Sequence, residues 1–170
     1  EENILVVQVK NEGENSRWYS GSGIYRNVTL IKTNPVHVNL WGNFITTPEV
    51  SNEKAVVRIE TKVFNSTNQK NEIIVSIDIQ NLQEKIVASS EKEIRTEALK
   101  DILVQQEIEL ANPELWNTET PNLYTAIVQL KKGKNIIDET KTKFGIRSIE
   151  FSPEKGFLLN GESVLLKGGC

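Results

Sequence analysis

The 170-residue chain carries 20 Lys and Arg against 23 Asp and Glu, a formal net charge of -3, with 38% hydrophobic and 25% charged residues. That balance belongs to a globular protein with enough apolar side chains for a substantial core, and without a basic tract it argues against nucleic acid as a partner. No apolar run approaches the roughly 20 residues that span a bilayer, and the single cysteine, Cys170, excludes an internal disulfide and a CxxC metal site.

The first residues, Glu1-Glu2-Asn3, lack the basic and apolar regions of a signal peptide, which fits a chain that begins inside a domain. Residues 4–9 (I-L-V-V-Q-V) form a β-rich run that ends in the turn N-E-G-E-N at 11–15. After the Gly21-x-Gly23 loop, residues 25–33 read as a second strand, halted by Asn34-Pro35. Between them lies Arg17-Trp18-Tyr19. Aromatic faces stack on sugars and a guanidinium bonds hydroxyls, so these three are candidates for a substrate rim, with packing at a domain junction as the alternative.

Residues 35–47 predict a strand whose apolar face holds Val36, Val38, Leu40 and Phe44, with Pro48 ending it. Val57, Ile59, Thr61 and Val63 alternate with Arg58, Glu60 and Lys62; the polar tip 65–71 then turns the chain into Ile73, Val75, Ile77 and Ile79. One wet face and one apolar face is the pattern of an antiparallel hairpin. Residues 91–101 have the propensity for a helical turn, but Ile94, Ala98 and Leu99 are too few for an amphipathic stripe, so an edge strand and loop are expected there. Ile102, Val104, Ile108 and Leu110 mark the next strand.

From residue 113 the chain reads P-E-L-W-N-T-E-T-P-N-L-Y, a kinked lead-in fixed by Pro113 and Pro121 around Trp116. Residues 123–130 alternate with both faces apolar, as in a strand central to its sheet, and K-K-G-K-N turns the chain into a partner that runs through F-G-I-R at 144–147. Asn160-Gly161, between F-L-L and V-L-L, signals a two-residue hairpin because both positions tolerate positive φ. About seven strands in about 115 residues predict an immunoglobulin-like antiparallel β-sandwich. Trp41 and Trp116 are expected as core or corner aromatics.

Candidate chemistry is sparse. His37, the only histidine, lies on the polar face of its strand with no nucleophile elbow in the sequence. Glu107 and Glu109 share a strand face and read as exposed decoration rather than paired hydrolytic carboxylates. Asp78, Asp101 and Asp138 show no calcium-loop spacing, so no metal, cofactor or catalytic residue is assigned. The glycosylation patterns at Asn27 and Asn65 are chance-level matches.

The run L-W-N-T-E-T-P-N-L-Y, then F-G-I-R, then L-N-G-E-S-V-L-L-K-G, together with G-I-Y-R at 23–26, resembles glycoside hydrolase family 2, the β-galactosidase, β-glucuronidase and β-mannosidase group. The resemblance implies an all-β fragment: strands closing a sugar-binding jelly roll over 1–34, the sandwich over 35–150, and over 151–170 the first hairpin leading into a TIM barrel outside this chain. It implies a parent that hydrolyses β-galactoside-type bonds with retention through two barrel glutamates, and a chain without turnover of its own. Arg147 and Asn160 are then domain-interface candidates, and the partners are the jelly roll and barrel of the same polypeptide, with carbohydrate bound through the parent and no membrane. The bacterial periplasm and the cytoplasm are both compatible. Alternative readings are a carbohydrate-binding module using Arg17, Trp18 and Trp41, or a fibronectin-like interaction module.

Overall fold

A computed structural model describes residues 2–13 and 23–168. The chain divides into two units, Glu1–Lys32 and Thr33–Cys170. The described residues of the first unit form neither strand nor helix, although two strands are expected there. A strand exists through the ladder it shares with a neighbour, and these residues have no ladder partner among those described; Ile4, Leu5, Val6 and Leu30 stand exposed. Within this unit the Arg26 guanidinium sits 5.4 Å from the centroid of the Tyr25 ring.

The second unit is all β. Its strands are β1 (Val36–Val50), β2 (Lys54–Asn65), β3 (Asn71–Gln80), β4 (Ile86–Thr96), β5 (Lys100–Ala111), β6 (Tyr124–Lys132), β7 (Asn135–Phe144), β8 (Ile149–Ser152), β9 (Gly156–Leu159) and β10 (Glu162–Ser163). They form a three-stranded sheet β1-β2-β5, a four-stranded sheet β4-β3-β6-β7 and a small sheet β10-β9-β8, every pairing antiparallel.

The period of two builds the sandwich. Val57, Ile59 and Val63 of β2 with Val104, Ile108 and Leu110 of β5 are buried from one sheet; Val75, Ile77 and Ile79 of β3 with Ala126, Val128 and Leu130 of β6 are buried from the other. Most are β-branched, which suits the pleated surface. Residues 91–99 divide as expected into the end of an edge strand, β4, and a turn in which Leu99 takes φ 55°, and Lys100 and Asp101 already begin β5. Tyr124, at the start of β6, is buried, and its hydroxyl accepts the Glu114 N–H at 2.8 Å, the corner arrangement of immunoglobulin-like sandwiches.

β1 departs from expectation at two places. Residues 39–42 stand opposite Lys62 alone, an odd excess that flips the alternation. Val36 and Val38 point inward, but beyond the bulge Asn43 and Ile45 take the inner side and Phe44 the outer. Asn43 is held there by the Thr61 hydroxyl, which donates to its Oδ1 at 3.0 Å, and by its own amide, which donates to Thr140 Oγ1 at 2.8 Å. Trp41, at φ 53°, is exposed rather than buried. The strand also continues past Pro48, which occupies a second bulge opposite Val57; an edge strand tolerates proline where the ladder is already interrupted.

The corner between β1 and β7 is closed by side chains. The Val38 N–H donates to Asp138 Oδ2 at 2.7 Å and the Asn34 amide donates to the Ile137 carbonyl. Asn65 is fully buried, its amide donating to the carbonyls of Gln69 and Glu97 and to Thr96 Oγ1, so its glycosylation pattern belongs to a structural asparagine.

Candidate functional site

Carboxylates offer no hydrolytic pair among the described residues. Glu107 bonds Arg58 at 2.8 Å and Glu109 bonds Lys54 at 2.7 Å, both on an exposed face. Lys131 holds the Glu91 carboxyl below its usual range, Lys70 does the same for Glu97, Lys62 and then Asn39 for Asp101, and Gln129 for Glu139. A glycosidic general acid needs the opposite displacement. His37 is half-buried, its Nδ1 2.8 Å from the Asn34 carbonyl and its ring edge-on to Phe64. No group of three or more metal-ligating side chains converges among the described residues.

The side chains that do converge lie where the sandwich meets the β8-β9-β10 hairpin. Trp116 is fixed first: its N–H donates to the Ile146 carbonyl at 2.8 Å and it forms an isolated bridge with Pro121. Gly145 lets the ring settle, because a Cβ there would stand 2.7 Å from Trp116 Cβ. Arg147 lays its guanidinium 4.7 Å from the centroid of the ring, within the range of a cation–π contact. The Arg147 carbonyl accepts the Thr47 hydroxyl at 2.9 Å, which ties the same segment to β1.

Asn160 completes the arrangement. With Gly161 it forms the two-residue turn between β9 and β10, at φ 53° and 82°, as the Asn-Gly pair predicts. Its side chain faces back toward the sandwich: Oδ1 accepts the Ser148 N–H at 2.9 Å and Nδ2 donates to the Trp116 carbonyl at 3.0 Å, while its own N–H donates to the Ser148 carbonyl at 3.0 Å. One side chain thus fastens three segments far apart in sequence. Beside this latch a cleft of about 240 Å³ is lined by Ile45, Thr47, Phe144, Arg147 and Ile149 among others.

The structure therefore brings Arg147 and Asn160 to one place, the first against the ring of Trp116 and the second on its backbone carbonyl. Arg17, Trp18 and Tyr19 lie outside the described residues. Sequence reasoning did not find Gly145, whose signal was a glycine at a strand end where backbone approaches a large ring, or Thr47, which carried no signal.

The profile of glycosyl hydrolases family 2 matches residues 36–147, most of the sandwich. The chain belongs to glycosyl hydrolase family 2. Over 171 residues it is 37% identical to the β-galactosidase BoGH2A of Bacteroides ovatus, a match covering 100% of this chain and 20% of that protein. It is 36% identical to a putative β-glucuronidase of Formosa agariphila, covering 99% and 16%. A crystal structure of a family 2 member from Bacteroides cellulosilyticus superposes with a TM-score of 0.86 at 38% identity, over 95% of this chain and 22% of that one. This family 2 chain spans about a fifth of the length of the curated relatives it matches.

Proposed function

We infer that the chain is the non-catalytic sandwich segment of a longer family 2 glycoside hydrolase, and that it holds the domains on either side of it at a fixed angle. In this reading residues 1–34 close a sugar-binding jelly roll, 35–150 form the brace, and 151–170 lead into the catalytic barrel. The parent hydrolyses β-galactoside-type bonds with retention, through two glutamates carried by the barrel. The observation that carries the reading is the Asn160 latch, which joins the hairpin to Trp116 and Ser148 through a side chain rather than a flexible linker. A brace must transmit orientation, and a packed, hydrogen-bonded junction does so where a mobile connection does not.

The carbohydrate-binding alternative has one point in its favour, the exposed ring of Trp41. Against it, the polar groups beside that ring are engaged with each other: the Asn39 amide donates to Asp101 at 2.9 Å and Lys62 pairs with Asp101 at 3.0 Å. Sugar sites need such groups available to hydroxyls.

Two assays test the brace. The purified 170-residue chain should not turn over nitrophenyl β-galactoside or nitrophenyl β-glucuronide. In the full-length polypeptide, replacing residues 36–147 with a flexible linker should abolish turnover of whichever of the two the parent accepts. Turnover by the chain alone, or full activity after the replacement, refutes the proposal.

A further inference from the structure

The bulge of β1 turns Asn43 and Ile45 into the sandwich and leaves Trp41 outside it. Trp41 holds φ 53°, a left-handed conformation that a bulky residue adopts only when its surroundings impose it. The surroundings are visible. Gly42 packs so closely that a Cβ would lie 2.7 Å from the Asn39 carbonyl and 2.9 Å from the Lys62 carbonyl. On one side Asn39 is bonded to Asp101, which Lys62 also holds; on the other, Val38 is bonded to Asp138.

What this frame presents is apolar. Trp41 is 92% exposed, Leu40 66% and Phe44 63%. Leu103, 62% exposed, lies on the same sheet opposite Lys62, the residue that faces the bulge. An exposed aromatic on a constrained backbone, with Leu40, Phe44 and Leu103 exposed on the same sheet and the nearby charges already paired with each other, has the make-up of an interface anchor. Farther along the same outer face the side chains are paired ions, Arg58 with Glu107 and Lys54 with Glu109, so the apolar character is confined to the neighbourhood of the bulge.

We propose that Trp41 is a knob that seats in an apolar recess on another domain of the same polypeptide, with Leu40, Phe44 and Leu103 forming the rim of that contact. The inference rests on the reading of the chain as a brace and adds the surface through which the brace grips. Three considerations select this occupant. The polar side chains at the bulge, Asn39, Lys62 and Asp101, are bonded to one another rather than available to hydroxyls, which disfavours a sugar. A ring exposed to this degree projects from the sheet, and an isologous contact between two copies would set one projection against another. The matched relatives carry about four-fifths of their length outside the aligned segment, since the match covers 20% of one and 16% of another, so this sandwich has domain neighbours in its own polypeptide under the proposed function.

Hydroxyl-radical footprinting tests the proposal directly, by comparing Trp41, Leu40, Phe44 and Leu103 in the 170-residue chain and in the full-length polypeptide. Trp41 labels fast in the chain alone and falls to near background in the full-length protein, at every protein concentration. Fast labelling in both overturns the proposal. So does protection in the 170-residue chain that grows with its concentration, which assigns the surface to a second copy, or protection that appears only when galacto-oligosaccharides are added, which assigns it to sugar. The Trp41→Ser variant provides a second readout: the melting temperature of the 170-residue chain is unchanged or raised, while limited proteolysis of the full-length protein becomes faster at its domain junctions. Unchanged proteolysis counts against the knob. Because the brace itself is tested by loss of turnover on replacing the sandwich, a silent Trp41→Ser variant beside an inactive replacement sinks the knob and leaves the brace standing.

Discussion

Substituting Asn160 separates the latch from the fold. Alanine there removes the bond accepted from the Ser148 N–H and the bond donated to the Trp116 carbonyl, each contributing about 1 kcal/mol. It also places an ordinary Cβ residue at φ 53°, at a further cost of about 1 kcal/mol. Glycine loses the same two bonds but relieves the backbone, so about 2 kcal/mol is expected for Asn160→Gly against about 3 kcal/mol for Asn160→Ala. The loss falls on the hairpin, because the latch lies outside the core. Native-state hydrogen exchange reads it: in Asn160→Ala the amides of Ser148 and of β8 and β9 exchange roughly a hundredfold faster, the ratio corresponding to about 3 kcal/mol. The amides of Ile77 and Val128 keep their protection. An unchanged Ser148 amide, or a glycine variant no better than alanine, refutes the reasoning.

Other perturbations follow from the same contacts. Gly145→Ala drives a Cβ to 2.7 Å from Trp116 Cβ, and overpacking of this kind costs about 1–3 kcal/mol, seen as a lower denaturation midpoint with an unchanged slope. Asp138→Ala leaves the half-buried Val38 N–H without its 2.7 Å acceptor, at about 1–2 kcal/mol, and thermal unfolding should show a correspondingly lower Tm. On the acid side, Glu91, Glu97, Asp101 and Glu139 have carboxyls held below their ordinary values of 4.5 or 3.8. In that range the unfolded chain binds more protons than the folded one, so their contribution is complete above about pH 5 and is lost as pH falls. On the alkaline side, Glu109 raises Lys54 above 10.5 and burial raises Tyr124 above 10.0, so their contributions are complete below about pH 9 and are lost above it. Melting followed by circular dichroism across pH 3 to 11 should give a plateau with a fall at each end, and stability that increases below pH 4 contradicts the assignment.

The layered architecture was legible in the sequence because most strands carry an uninterrupted period of two. Val57 to Val63, Ile73 to Ile79 and Ile102 to Leu110 each declare an inner face, and that face is buried. The hairpin at Asn160-Gly161 was equally plain, since its chemistry is local. β1 departs from its periodicity where non-local packing overrides it: four residues facing one partner cannot be seen by counting along a single strand, so Leu40 and Phe44, expected inward, are exposed, and Trp41, expected in a core or corner for the size of its ring, is exposed as well. The two strands expected before residue 34 rest on β propensity, and propensity without a ladder partner forms no sheet. Arg147 and Asn160 were singled out, but the role of the Asn160 side chain was not, because its partners lie 12 and 44 residues away in sequence.

The interior of the sandwich is dominated by isoleucine and valine, among them Ile59, Ile77, Ile79, Val57, Val63, Val75 and Val128. Such side chains already have few rotamers in the unfolded chain and so give up less freedom when they lock into place. In a chain with one cysteine there is no internal crosslink to restrict the denatured ensemble, and intrinsic side-chain stiffness supplies part of that restriction instead. Exchanging these positions for methionine of similar bulk would preserve hydrophobicity while raising the side-chain entropy lost when the sandwich forms.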